Sequence, residues 1–204
     1  MARPKSGLDR RILQAADRLF YAHGYPNTGI QQIVSEAGTN RPGLYSYFDS
    51  KDDLARRYLE ARNVVRTEEI AELGRQAADV PDFFRRWMDN TRGLAAGKTG
   101  PYKGCAVANF ALQTDSADEE MQAYIQKAGR RWESQLVAYI RSELRAGRFA
   151  PDNTAGAASI ARRMLILYQG AITMWKLTGR LACFEEACEL FELSLQSAGR
   201  TEVR

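Results

Sequence analysis

Asn40, Arg41, Tyr45, Ser46, Tyr47 and Lys51 crowd into a single stretch, TGIQQIVSEAGTNRPGLYSYFDSKDDL, residues 28–54. An amide, a guanidinium, three hydroxyls and an ammonium at this density suit hydrogen bonding to base edges and phosphates of duplex DNA. Such groups read a groove only if a helix presents them, and the flanking residues predict one. Ile30, Ile33, Val34 and Ala37 make a short amphipathic segment that runs into Gly38. A second segment begins at Asn40 and carries Leu44 and Phe48 as its apolar side. Two short helices joined through a glycine turn form a helix-turn-helix, whose second helix enters the major groove.

The rest of the chain must position this head. Helical periodicity dominates, with no convincing strand or hairpin pattern, so the predicted fold class is all-α with about nine helices. A first helix over residues 8–23 has the stripe Ile12, Leu13, Ala16, Leu19 and Phe20, and Gly24 ends it. Asp49 or Ser50 caps a fourth helix that starts with Asp52 and Asp53 in its first turn and runs towards Leu73. Further helices are predicted from Pro81, over 104–113, 118–145, 154–177 and 184–197. The last two are apolar over a wide arc: Ile160, Met164, Leu165, Leu167, Tyr168, Ile172 and Trp175, then Phe184, Leu190, Phe191 and Leu195. A helix apolar on several sides is buried on several sides. Pairing of these two helices with a second copy is the expectation, because a two-fold DNA site needs two reading helices. The expected domains are a three-helix head over residues 1–52 and a sensing and dimerisation domain over 53–204.

Charge permits this reading without demanding it. The 204-residue chain has a formal net charge of +4, and residues 1–62 hold ten Lys+Arg against seven Asp+Glu. No apolar run approaches the ~20 residues of a membrane span, and the basic start has no apolar stretch behind it; a cytoplasmic location without membrane partners is expected. Cys105, Cys183 and Cys188 are an odd set without paired spacing, so neither a disulfide framework nor a metal site is predicted. The single histidine, His23, has no partners for acid–base or nucleophilic catalysis, and no catalytic residues and no cofactor are assigned.

The first helix together with Gly38, Leu44-Tyr45, Tyr47-Phe48, Ser50-Lys51 and Leu54 resembles the DNA-binding domain of the TetR family of bacterial transcriptional repressors. The resemblance covers about residues 8–56. It implies an all-helical homodimer that binds a palindromic double-stranded operator and a small molecule in its second domain. The expected DNA contacts are Thr28, which would also cap the second helix, and Gln31 and Gln32 in that helix's first turn. Thr39, Asn40, Arg41, Pro42 and Gly43 at the start of the reading helix follow, with Tyr45, Ser46 and Tyr47 along it and Lys51 on a phosphate. Arg41 suits a guanine or a phosphate, and Gly43 lets the backbone approach the duplex. A basic arm with Arg3 and Lys5 would enter the adjacent minor groove.

The segment YKGCAVANFALQ, residues 102–113, is similar to a branch of that family responsive to electrophiles or small unsaturated acids. By that resemblance Cys105 opens a helix, where a thiolate is favoured, and Lys176 is its amine partner. A reversible ligand in place of thiol chemistry would rest on Phe84, Trp87, Phe110, Tyr124, Trp132, Tyr168 and Trp175, with Lys176 or Gln169 as polar anchors. The expected function is a repressor released by a small-molecule inducer or by modification of Cys105. The alternative is a hydrophobic or carboxylate inducer with an inert Cys105. A cysteine-dependent helical enzyme is the weaker reading.

Overall fold

The computed structural model describes residues 7–97, 102–113, 119–151 and 155–196. Among them there are nine helices and no strand: α1 (Leu8–His23), α2 (Ile30–Glu36), α3 (Arg41–Tyr45), α4 (Lys51–Gln76), α5 (Val80–Ala95), α6 (Ala106–Gln113), α7 (Glu119–Arg145), α8 (Ala157–Thr178) and α9 (Ala182–Leu195). The all-α expectation is met. The helices form two compact units, one containing the chain up to Val65 with 106–128, the other containing 66–105 with the chain from Gly129 onward.

In the first unit, α1 buries Ile12, Ala15, Ala16 and Phe20, and α2 buries Ile33 and Val34. Leu44, Phe48, Leu54, Ala55, Tyr58 and Leu59 complete this core. Arg62 of α4 forks onto Asp17 of α1 at 2.7 and 2.9 Å. Phe20, Tyr25, Tyr58 and Phe110 form one aromatic cluster with centroid separations of 5.0–6.0 Å. Phe110 brings α6 to the head, and Gln113 Oε1 accepts from the Tyr25 amide at 3.2 Å. Tyr124 of α7 donates to Glu60 at 2.8 Å in the same unit.

The second unit is built on α5, which starts cleanly because Asp79 Oδ1 accepts from the Asp82 amide at 2.8 Å and Asp82 accepts from the Ala78 amide at 2.9 Å. Pro81 sits in that first turn, where no amide hydrogen is needed. Phe83, Phe84, Trp87 and Met88 turn inward, and Phe84 meets Phe191 of α9 at 4.6 Å. From α8, Ile160, Met164, Tyr168 and Ile172 are buried; from α9, Phe184, Cys188, Phe191 and Leu195. The wide apolar arc divides in two: Ile166, Met174 and Leu177 of α8 and Leu190 and Leu193 of α9 are exposed. Among the described residues no helix is long and apolar enough to cross a membrane.

Candidate nucleic-acid interface and effector site

The turn between α2 and α3 is fixed by local hydrogen bonds. The Gly38 amide donates to Ser35 and the Thr39 amide to Val34 at 3.2 and 2.9 Å, with Gly38 left-handed at φ +63°. Asn40 caps α3, its Oδ1 accepting from the Gly43 amide at 2.8 Å. Pro42 sits in that helix's first turn. Gly43 has a reason inside the protein: a Cβ there would lie 2.4 Å from Thr39 Oγ1 and 3.1 Å from the capping Asn40 oxygen. Ser46 Oγ donates to the Gly43 carbonyl at 2.7 Å. Leu44 and Phe48 face the core. The opposite side therefore points to water: Asn40, Arg41, Pro42, Tyr45 and Ser46 are exposed, with Thr39, Gly43 and Tyr47 half-buried. Tyr45 leaves 48 % of its surface exposed, a large aromatic area to leave unpacked on a short helix.

Most of the residues expected to contact DNA are thus exposed, as are Gln31 and Gln32 of α2. Gln32 Oε1 is turned back to accept from the Gly29 amide at 2.7 Å. Lys51 holds its ammonium 4.2 Å from the centre of the Tyr25 ring, and burial lowers its pKa from the ordinary lysine value despite Asp52 beside it. Thr28 departs from expectation. It is buried, and its hydroxyl donates to the Gly24 carbonyl at 2.8 Å. Gly29 is the N-cap of α2 instead. The Thr28 hydroxyl therefore braces the α1–α2 turn. Ser50, not Asp49, caps α4, accepting from the Asp53 amide at 3.0 Å. Arg3 and Lys5 lie outside the described residues.

Inside the second unit the structure gathers a different set. Trp87 and Tyr168 stack at 4.3 Å with an interplanar angle of 16°. The Arg66 guanidinium lies 5.2 Å from the Tyr168 ring and 5.9 Å from Trp87. Glu69 pairs with Arg66 and also accepts from Asn90 Nδ2 at 2.6 Å. Tyr102 stands against Trp175 at 5.6 Å. Burial raises the Tyr102 and Tyr168 pKa values well above the ordinary tyrosine value. Cys105 is 3 % exposed, immediately before α6 and within electrostatic reach of Arg66, Tyr102 and Tyr168.

Trp87, Trp132, Tyr168, Gln169 and Trp175 all belong to this unit. Trp132 is buried, and Gln169 and Trp175 are half-buried. Lys176 is exposed overall, yet its Nζ lies 3.6 Å from where a Gly104 Cβ would stand. Gly104 adopts φ +91°, and Ile172 would sit 3.1 Å from that Cβ, so glycine is required one residue before the thiol. Phe110 and Tyr124 were expected to line a ligand site here. Both fall in the first unit instead, where Phe110 packs on Phe20, Tyr25 and Tyr58, and Tyr124 bonds Glu60. Cys183 donates to the Arg180 carbonyl at 2.5 Å, and burial pushes the Cys188 thiol up to about 12.

Arg66, Glu69, Asn90 and Tyr102 were missed. In sequence, Arg66 and Glu69 stand three apart on a charged helix and look like an ordinary surface pair. Only the fold shows the guanidinium against two aromatic rings.

A helix-turn-helix whose reading helix leaves its polar side open, joined to a larger helical unit, defines a DNA-binding transcriptional regulator. The comparisons agree. Residues 12–58 match the bacterial regulatory proteins of the tetR family, and residues 79–191 match the tetracyclin repressor-like C-terminal domain. The chain belongs to the TetR family. The HTH-type transcriptional regulator LmrA of Bacillus subtilis is 31% identical over 141 residues, 64% of this chain and 70% of LmrA. Among solved structures, a TetR-family regulator from Agrobacterium tumefaciens superposes with TM-score 0.78 at 22% identity, covering 96% of this chain and 100% of that one. The reduced form of Escherichia coli NemR superposes with TM-score 0.80 at 17% identity, covering 91% and 96%. At these identities the two structures speak to the fold alone.

Proposed function

We propose that this chain is a homodimeric cytoplasmic repressor that leaves a palindromic operator when a small molecule enters its second unit. Residues 1–52 read the DNA, and residues 53–204 sense and pair. The observation that carries this is the side of α3 that stays open although its backbone is fully capped: Asn40, Arg41, Tyr45 and Ser46 face water while Leu44 and Phe48 hold the helix to the core. Arg41 reads a base or clamps a phosphate, Tyr45 and Tyr47 add a base edge and a backbone contact, and Lys51 neutralises a phosphate.

Dimerisation has its own support. Ile166, Gly170, Met174 and Leu177 recur on the exposed face of α8, and Leu190 and Leu193 on that of α9. Gly170 has open space where a Cβ would be, so a second backbone can approach closely. A two-fold pairing of these faces supplies the two reading helices that a palindrome needs.

Release by thiol modification is the second reading, favoured by the Arg66 charge near Cys105 and by the Lys176 amine beside Gly104. In that case the Cys105 thiolate adds to an electrophile. Intact mass spectrometry of the electrophile-treated protein reports the adduct, and a Cys105→Ser variant that still releases DNA normally sinks this second reading alone. The primary reading is tested by a mobility shift at stated salt. It expects a preferred duplex whose binding Arg41→Ala weakens, and equal binding to any duplex overturns it.

A further inference from the structure

The second unit buries polar groups that the protein leaves without partners. Among the described residues four buried side-chain atoms have no hydrogen-bond partner: Gln135 Oε1, which lines a separate hollow with Ile70 and Tyr139, and the Tyr168 hydroxyl, the Tyr102 hydroxyl and Trp87 Nε1, of which Tyr168 and Trp87 are each only 1 % exposed. The two tyrosine hydroxyls do bear on one another, Tyr102 as the donor towards Tyr168, but the contact falls short of full hydrogen-bond geometry. An unmade hydrogen bond on a buried group destabilises the folded protein. Such a cluster in a folded protein calls for an explanation beyond packing.

The chemistry of the cluster is one-sided. An indole N–H and a guanidinium only donate, and a phenol retains one O–H to donate. Burial holds both phenols above their ordinary pKa, so they keep those protons at neutral pH. The one carboxylate in the cluster, Glu69, is already engaged by Arg66 and Asn90. What the cluster lacks is an acceptor with several lone pairs. We infer that Arg66, Tyr102 and Tyr168 form the recognition site for a small organic carboxylate, whose planar body lies against the stacked rings of Trp87 and Tyr168. A carboxylate accepts from two or more donors at once and matches a guanidinium edge. Neither Lys176 nor Gln169 is needed as its anchor.

This inference rests on the reading of the chain as a ligand-released regulator, and it adds the ligand's chemical class and the residues that recognise it. The test uses the full chain without DNA. Benzoate, phenylacetate and cinnamate are each compared with their neutral amides by isothermal titration and by quenching of tryptophan fluorescence. At least one acid is expected to bind ten-fold or more tightly than its amide. Tyr102→Phe/Tyr168→Phe, which keeps both rings, is expected to lose that ten-fold preference. Arg66→Met combined with Glu69→Gln removes the charge pair together, so that neither ion is left buried alone, and is expected to lose it as well. If no acid outbinds its amide, or if the double Phe variant holds the acid as tightly as the parent, the inference is overturned. Acid binding that leaves an operator complex intact would uphold the carboxylate site and sink the regulatory reading. Operator release by an electrophile, with no acid bound, would do the reverse.

Discussion

The α3 surface and the Arg66 cluster both hold polar groups that the protein itself does not satisfy, but they hold them in opposite solvents. Arg41 and Tyr45 stand in water, where unpaired donors cost nothing. Tyr102 and Tyr168 stand out of water, where they do cost. The first arrangement suits a partner whose surface arrives whole, such as a duplex. The second suits a ligand small enough to be enclosed. The difference also separates binding from stability. Arg41 and Tyr45 can be removed without touching the fold, whereas each buried group is tied to the packing around it.

The largest way to break this contrast lies in the buried region. Glu69→Leu leaves the Arg66 guanidinium without its counter-ion, and a loss of about 3 kcal/mol in urea unfolding is expected. A loss below about 0.5 kcal/mol would mean that Arg66 reaches water and behaves as a surface ion. On the open side, Arg41→Ala is expected to weaken operator binding by about 1–3 kcal/mol, roughly five- to 150-fold, with the melting temperature unchanged. A fall in melting temperature would show that Arg41 is structural. Asn40→Ala sits between the regimes, because its oxygen caps α3. Removing it is expected to cost about 1 kcal/mol of stability and to weaken DNA binding together. Tyr168→Phe is expected to leave the ligand-free protein as stable as the parent or slightly more so, because it removes an unpaired buried hydroxyl.

The smallest effect comes from Glu143, a satisfied buried carboxylate in the second unit that serves as the comparison's control. Hydrogen bonds from Arg148 at 2.7 and 2.8 Å hold its pKa below the ordinary glutamate range against the opposing effect of burial. A depressed carboxylate contributes stability that is present above its unfolded pKa and is lost as pH falls through the folded one. Glu143→Gln should therefore remove that contribution at pH 7 and flatten the acid limb of a stability–pH curve below about pH 4.3, the ordinary glutamate value, so that variant and parent converge at low pH.

The two regions were also unequally legible in the sequence. The open side of α3 is contiguous, so Asn40, Arg41, Tyr45 and Ser46 could be placed on one side from their spacing against Leu44 and Phe48. Its caps follow local rules, and Asn40 and Ser50 obey them. Thr28 misled because a threonine before a helix has two local uses, and here Gly29 takes the cap while the threonine hydroxyl turns back to Gly24. The buried cluster is assembled from α4, α5, the segment before α6 and α8. No local pattern joins Arg66 to Tyr102 or Tyr168. Aromatic residues at helical spacing give the same signal whichever unit they join, so Phe110 and Trp87 looked alike. Which core each enters depends on tertiary packing, and α6 takes Phe110 to the head.

The central claim is that the α3 surface reads a specific DNA sequence. Selection of duplexes from a random pool by the full chain at physiological salt, followed by sequencing, tests it most directly. The account predicts enrichment of a palindrome bound at least roughly a thousand-fold tighter than random duplex, with Arg41→Ala relaxing the preference at symmetric positions of the two half-sites. A pool that emerges unenriched, or an identical enriched motif with Arg41→Ala, Tyr45→Ala and Tyr47→Ala combined, would contradict it.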